Sequence, residues 1–141
     1  MNKNNRFGLR NSGGFTLIEM LVVIAIVGLL SSVILVALGP SRTKAKDARI
    51  VSDMNQVRAL METAFNNGTY PTPNFAVDPW KSLQDDVKAN NGNVNITIMG
   101  AGDTGSYAAY TTVSTGVYCV DSKGNAVSLS GSSGITAAGC K

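Results

Sequence analysis

Residues 15–38, Phe15-Thr16-Leu17-Ile18-Glu19-Met20 and onward, read FTLIEMLVVIAIVGLLSSVILVAL: twenty-four residues with one charge. Wound as a helix at ~1.5 Å per residue, the run is ~36 Å long, enough to cross a hydrocarbon layer of ~30 Å. A helix apolar on every face needs apolar surroundings. A chain of 141 residues has too small a core to enclose one, so lipid or a bundle of like helices is the expected surrounding. Glu19 is then the residue to explain. A carboxylate in a spanning helix costs a few kcal/mol, less near the edge, and should have water, a partner or a task.

The residues before the run suggest a partner. Positions 1–14 carry Lys3, Arg6 and Arg10, no acidic residue, and end in Ser12-Gly13-Gly14. This leader has too little apolar bulk to pack. It also carries the whole net charge of +3, because the rest of the chain has nine basic and nine acidic side chains. Without the leader, general affinity for nucleic acid has no electrostatic support. A cut between Gly14 and Phe15 would create a cationic amine four residues from Glu19, one helical turn away on the same face. The carboxylate would also suit the positive end of the helix dipole. The two could pair within one molecule, or between neighbours in an assembly of parallel helices. In the second case an unpaired buried charge would penalise wrong register. In an uncut chain, Glu19 could instead lie near enough to the interface to reach water.

Beyond the run, Gly39-Pro40 predicts a kink or break. Residues 41–65 read as a second helical stretch. Ile50, Met54, Val57, Met61 and Ala64 form one stripe, while Arg49 with Asp53 and Arg58 with Glu62 are i,i+4 pairs suited to a solvated face. Asn66-Asn67-Gly68, Pro71 and Pro73 end it. Trp80, Leu83 and Val87 suit a short helix at about 80–88, closed by Asn90-Asn91-Gly92. The period then changes to two, with Val94, Ile96 and Ile98 alternating with polar residues. Tyr107–Val113, Gly116–Asp121 and Ala126–Leu129 are also β-rich. The expectation is α+β: a long N-terminal helix, apolar then amphipathic, packed on a small antiparallel sheet of three or four strands within about 93–129. The Gly, Ser and Ala tail of 130–139 has too little apolar bulk to order itself.

Catalytic signals are absent. The chain has no histidine, so Ser-His and Cys-His pairs are excluded, and no phosphate-binding glycine pattern appears. Asp103, Asp121 and Asp85-Asp86 are too scattered for a calcium loop. Tyr107, Tyr110 and Tyr118 suit half-buried sheet positions better than a base-stacking surface. Neither an enzyme nor a cofactor or metal protein is expected. Cys119 and Cys140 allow one intramolecular pairing, and export would make it a disulfide that pins the tail to the sheet. Their spacing and the lack of histidine do not suit a metal or redox site.

A short basic leader ending in glycine, then Phe-Thr-Leu-Ile-Glu on a long apolar helix, resembles the type IV pilins and pseudopilins. The resemblance implies that a membrane prepilin peptidase cuts after Gly14 and that Phe15 becomes the N-methylated terminus. Glu19 would pair with the N-terminus of an adjacent subunit. It further implies a single-pass precursor in the cytoplasmic membrane, leader inside, delivered by an assembly platform into a helical homopolymer outside the cell. A C-terminal disulfide loop is typical of such pilins, and Gly39-Pro40 would be the helix-bending site, a few residues later than in the best-known relatives. The expected division is leader 1–14, core helix 15–40 and globular head 41–141. The basic residues Arg42, Lys44, Lys46 and Arg49 beyond the run balance those of the leader, so orientation rests on the resemblance. The nearest alternative is a pseudopilin of a type II secretion or DNA-uptake system. Major secretion pseudopilins generally use calcium in C-terminal loops where this chain has no acidic cluster. A remote alternative is a secreted monomeric binding domain whose signal peptide ends at Ala37-Leu38-Gly39. A twenty-four-residue apolar segment containing a glutamate is a poor signal core.

Overall fold

The computed structural model describes residues 13–102 and 105–141; the leader through Ser12, and Asp103, lie outside them. The structure divides into two compact units between Gly39 and Pro40. One helix, α1 (Leu17–Ala64), carries its hydrogen bonding across that division with Pro40 inside it. The expected break therefore does not occur. Proline removes one donor, but its φ suits a helix. Strong helix formers flank it, with Ala37 and Leu38 before and Lys44, Ala45 and Lys46 after.

In the first unit every described residue up to Gly39 is exposed. The second unit holds the core. Ile50, Met54, Val57 and Met61 are at most 1% exposed, along the stripe that the spacing of four and three predicts. Ala64, the last member of that stripe, is exposed at the helix end. The chain reverses through Asn67 and Gly68, both at positive φ, and Asn66 bridges Thr69. Then α2 (Trp80–Asn91) lays Leu83 and Val87 into the core and ends at Gly92 in the left-handed conformation.

Four antiparallel strands follow in the order β1-β2-β3-β4: β1 (Thr97–Met99), β2 (Ala108–Val113), β3 (Gly116–Asp121) and β4 (Ala126–Leu129). The first is shorter than its alternating sequence suggests, and Val94 lies exposed before it. Sheet strand β3 is covered on both faces. Tyr118 and Val120 join Ile50, Met54, Val57 and Met61, together with Tyr70, Tyr107 and Ile96. Val117 and Cys119 face the other way, against Ile135 and Cys140. The tail supplies that second cover. It folds as a small hairpin, β5 (Ile135–Thr136) with β6 (Gly139–Cys140). The tail was expected to lack order of its own; one buried isoleucine, ladder bonds and a covalent tie are enough to shape it.

Tertiary partners displace the local ion pairs expected on α1. Arg49 Nε lies 3.8 Å from Asp86 of α2, and Asp53 is buried rather than solvated. Glu62 accepts hydrogen bonds from Tyr70 (3.0 Å) and Tyr107 (3.3 Å), while Arg58 donates to the Gly124 carbonyl (3.3 Å). An exposed i,i+4 pair is worth only ~0.3–0.5 kcal/mol, so a tyrosine hydroxyl or a facing helix readily replaces it.

Candidate functional site

The N-terminus of α1 is built from two side chains. Thr16 precedes the helix, and its carbonyl accepts the first helical bond from the Met20 N–H (3.3 Å). Its hydroxyl accepts from the Glu19 N–H (3.2 Å) and donates to Glu19 Oε2 (2.8 Å). The Thr16 N–H donates to the same Oε2 (2.8 Å). This is a reciprocal capping box, in which the residue before the helix and the third residue within it satisfy each other's orphan donors. Two consequences follow. Gly13, Gly14, Phe15 and Thr16 lie outside the helix, so the Gly14-Phe15 peptide is not locked in helical hydrogen bonds. Glu19 Oε2 is held on the Thr16 N–H and hydroxyl, two residues after Gly14, while Oε1 has no partner among the described residues.

In this uncut chain, then, the in-molecule partner of Glu19 is Thr16. The spacing Thr-x-x-Glu directly before an apolar run is the signal that could have identified Thr16 from sequence. Phe15 is 79% exposed, and the aliphatic side chains from Leu17 to Leu38 are exposed all round the helix. None of this apolar stretch of α1 is buried within the chain. By length and composition this helix can cross a membrane. Gly39 and Pro40 follow the apolar stretch and leave the helix intact.

Within the second unit, Cys119 and Cys140 are bonded, with Cα atoms 6.0 Å apart. Beside them lies a residue that pattern reading set aside. Asp121 is fully buried at the end of β3. Its Oδ1 accepts the N–H groups of Lys123 and Asn125 (both 2.9 Å), and Oδ2 accepts Asn125 Nδ2 (2.8 Å) and the Cys140 N–H (2.9 Å). Burial works against the charge, but the bonds from Asn125, Cys140 and Lys123 outweigh it and hold the carboxyl below the usual range. A Cβ on Gly139 would lie 2.6 Å from Oδ2, so glycine is required for this approach. One carboxylate thus fixes both the β3–β4 turn and the disulfide-bearing hairpin. Among the described residues, no group of three or more His, Cys, Asp or Glu is arranged to hold a metal ion.

Residues 9–35 match the family model described as the prokaryotic N-terminal methylation motif. The chain is 30% identical over 99 residues to a probable minor fimbrial protein of Dichelobacter nodosus, covering 69% of this chain and 61% of that one. It is 31% identical over 94 residues to the type IV wide pilus major component PilA4 of Thermus thermophilus, covering 66% and 68%. With the type II secretion system core protein G of Aeromonas hydrophila it shares 37% over 70 residues, 49% of each chain. It thus spans about half to two thirds of the length of these curated relatives. No solved structure matches the chain. The methylation motif coincides with the capped helix start, the apolar helix and small sheet form the expected α+β fold, and one pilin relative is matched over more than two thirds of its length. The chain belongs to the type IV pilin and pseudopilin family.

Proposed function

We propose that the chain is the precursor of a structural subunit of a type IV pilus. The observation that carries this is an apolar helical stretch, exposed on every side, joined to a head that has its own core. In the precursor, lipid covers Phe15–Leu38, with the leader on the cytoplasmic side. Prepilin peptidase cuts the unlocked Gly14-Phe15 bond and Phe15 is methylated. An assembly platform in the cytoplasmic membrane then transfers the subunit into a homopolymer whose core is these helices and whose heads face outward. Burial against like helices supplies cohesion at ~25 cal/mol per Å2. Glu19, held one turn from the new Phe15 terminus by Thr16, takes the amine of a neighbour and sets register. Gly39 and Pro40 are where the helix bends or loosens in the filament. The role is structural, with no catalysis.

A pseudopilin role is favoured by the similarity to core protein G. The C-terminal geometry supports the pilus reading instead. The hairpin is held by a covalent bond, and the partners of the adjoining carboxylate are all N–H donors.

The test is intact mass and N-terminal sequencing of protein sheared from its native cells. A disulfide-bonded chain beginning at methylated Phe15, recovered in sedimentable surface filaments, is expected. A chain beginning at Pro40, or an exported soluble form still carrying the leader, overturns the reading. Processed subunits that form no surface filament but are required for secretion select the pseudopilin role. Glu19→Gln should leave processed chains in the membrane without filaments.

A further inference from the structure

Asp53 lies on the buried face of α1 beside Met54 and is 6% exposed. Its Oδ1 receives one long bond from Gln56 Nε2 (3.5 Å), and Oδ2 is buried with no donor among the described residues. The charged groups that face it are Arg49 on its own helix and Asp86 on α2. The Arg49 guanidinium turns to Asp86, 3.8 Å away. Ser52, Gln56, Ser82 and Leu83 complete a cleft of about 450 Å3 around the two carboxyl groups. Asp86 lines the same cleft as a buried Asp53 oxygen that has no donor among the described residues. Two ionised acids repel each other across one cleft, whereas one proton removes the repulsion and turns the orphan acceptor into a donor.

We propose that Asp53 and Asp86 share a single proton, and that this proton latches α2 onto α1. Burial first, and then the charge and hydrogen bond of Asp86, push Asp53 up to about 6, while Arg49 pulls it partly back. The sign follows from linkage. The folded value lies above the ordinary 3.8. The latch therefore acts in full below about pH 4 and is lost as pH rises through about 6. The head is firmer in mildly acidic surroundings. Above pH 6 each subunit gains one negative charge in the α1–α2 cleft. This inference rests on the head alone and not on filament assembly.

The test uses the full chain in non-ionic detergent, with 13C-labelled aspartate, titrated between about pH 4 and 8. The Asp53 carboxyl should titrate near 6; a midpoint near 4 overturns the proposal. Asp86→Asn should bring that midpoint down, because its charge is removed. Asp53→Asn, uncharged at every pH and still able to donate to Asp86, should match the parent melting temperature at about pH 4 and exceed it at neutral pH. Parallel melting curves for this variant and the parent overturn the latch. If millimolar calcium at neutral pH raises the parent to its acid stability, and does so only with both carboxylates present, the cleft is a cation site instead.

Discussion

Asp121→Asn keeps the shape of the side chain and removes its charge. The carboxylate accepts two N–H groups at each oxygen. An amide has one acceptor oxygen, which would stay with the turn amides of Lys123 and Asn125. Its NH2 must then face the Asn125 side chain, which can rotate to offer its own oxygen, and the Cys140 N–H, which cannot. One buried amide is left without an acceptor, a loss of ~1–3 kcal/mol, and the two retained bonds lose their charge assistance. The expected destabilisation is about 2–4 kcal/mol. Trp80, the sole tryptophan, lies in the head and reports its unfolding. Guanidinium denaturation of the full chain in detergent, with the disulfide intact, should move to a lower midpoint with unchanged slope. The parent carboxyl is held below its usual value. Its contribution is therefore present above about pH 4 and lost as pH falls below that, so parent and variant should converge in acid. A loss under ~0.5 kcal/mol, or one that does not shrink in acid, refutes the assignment of Asp121 as the acceptor holding the hairpin.

Reducing the Cys119–Cys140 bond, which joins residues 21 apart, should cost about 3 kcal/mol by loop-closure entropy, read as a lower denaturant midpoint. Thr16→Ala removes both hydroxyl bonds of the capping box. A loss of ~1 kcal/mol should speed amide exchange in the first turn of α1 several-fold, with no change in the head. Tyr107→Phe deletes the hydroxyl that donates to Glu62 while Tyr70 still does, so a loss near 1 kcal/mol is expected in denaturant unfolding. Met61→Ala, at a position with no exposure, should cost roughly 2–5 kcal/mol in the same assay.

What the sequence determined alone is what short-range periodicity encodes. The apolar run, the stripe Ile50-Met54-Val57-Met61, the helix stop at Asn67-Gly68 and the β-rich segments after Tyr107 each show their character within a few residues. The Thr16–Glu19 capping box also lies within one turn, yet it escapes a reading that sets the glutamate against a terminal amine and not against the helix start. The tertiary structure decided which polar groups meet across long separations. Arg49 and Asp53 look like partners at i,i+4, but Arg49 lies 3.8 Å from Asp86 of α2 and Asp53 is buried. Asp121 looks like an ordinary strand-end acid until the chain returns nineteen residues later with the Cys140 N–H. The tail reads as unstructured because one isoleucine promises little burial, yet the exposed second face of β3 gives it a place. Pro40 reads as a breaker because local rules count the lost bond and not the helix formers on either side. Weak local pairs worth a few tenths of a kcal/mol yield to any tertiary contact that satisfies a buried group, and only the folded chain shows which contact that is.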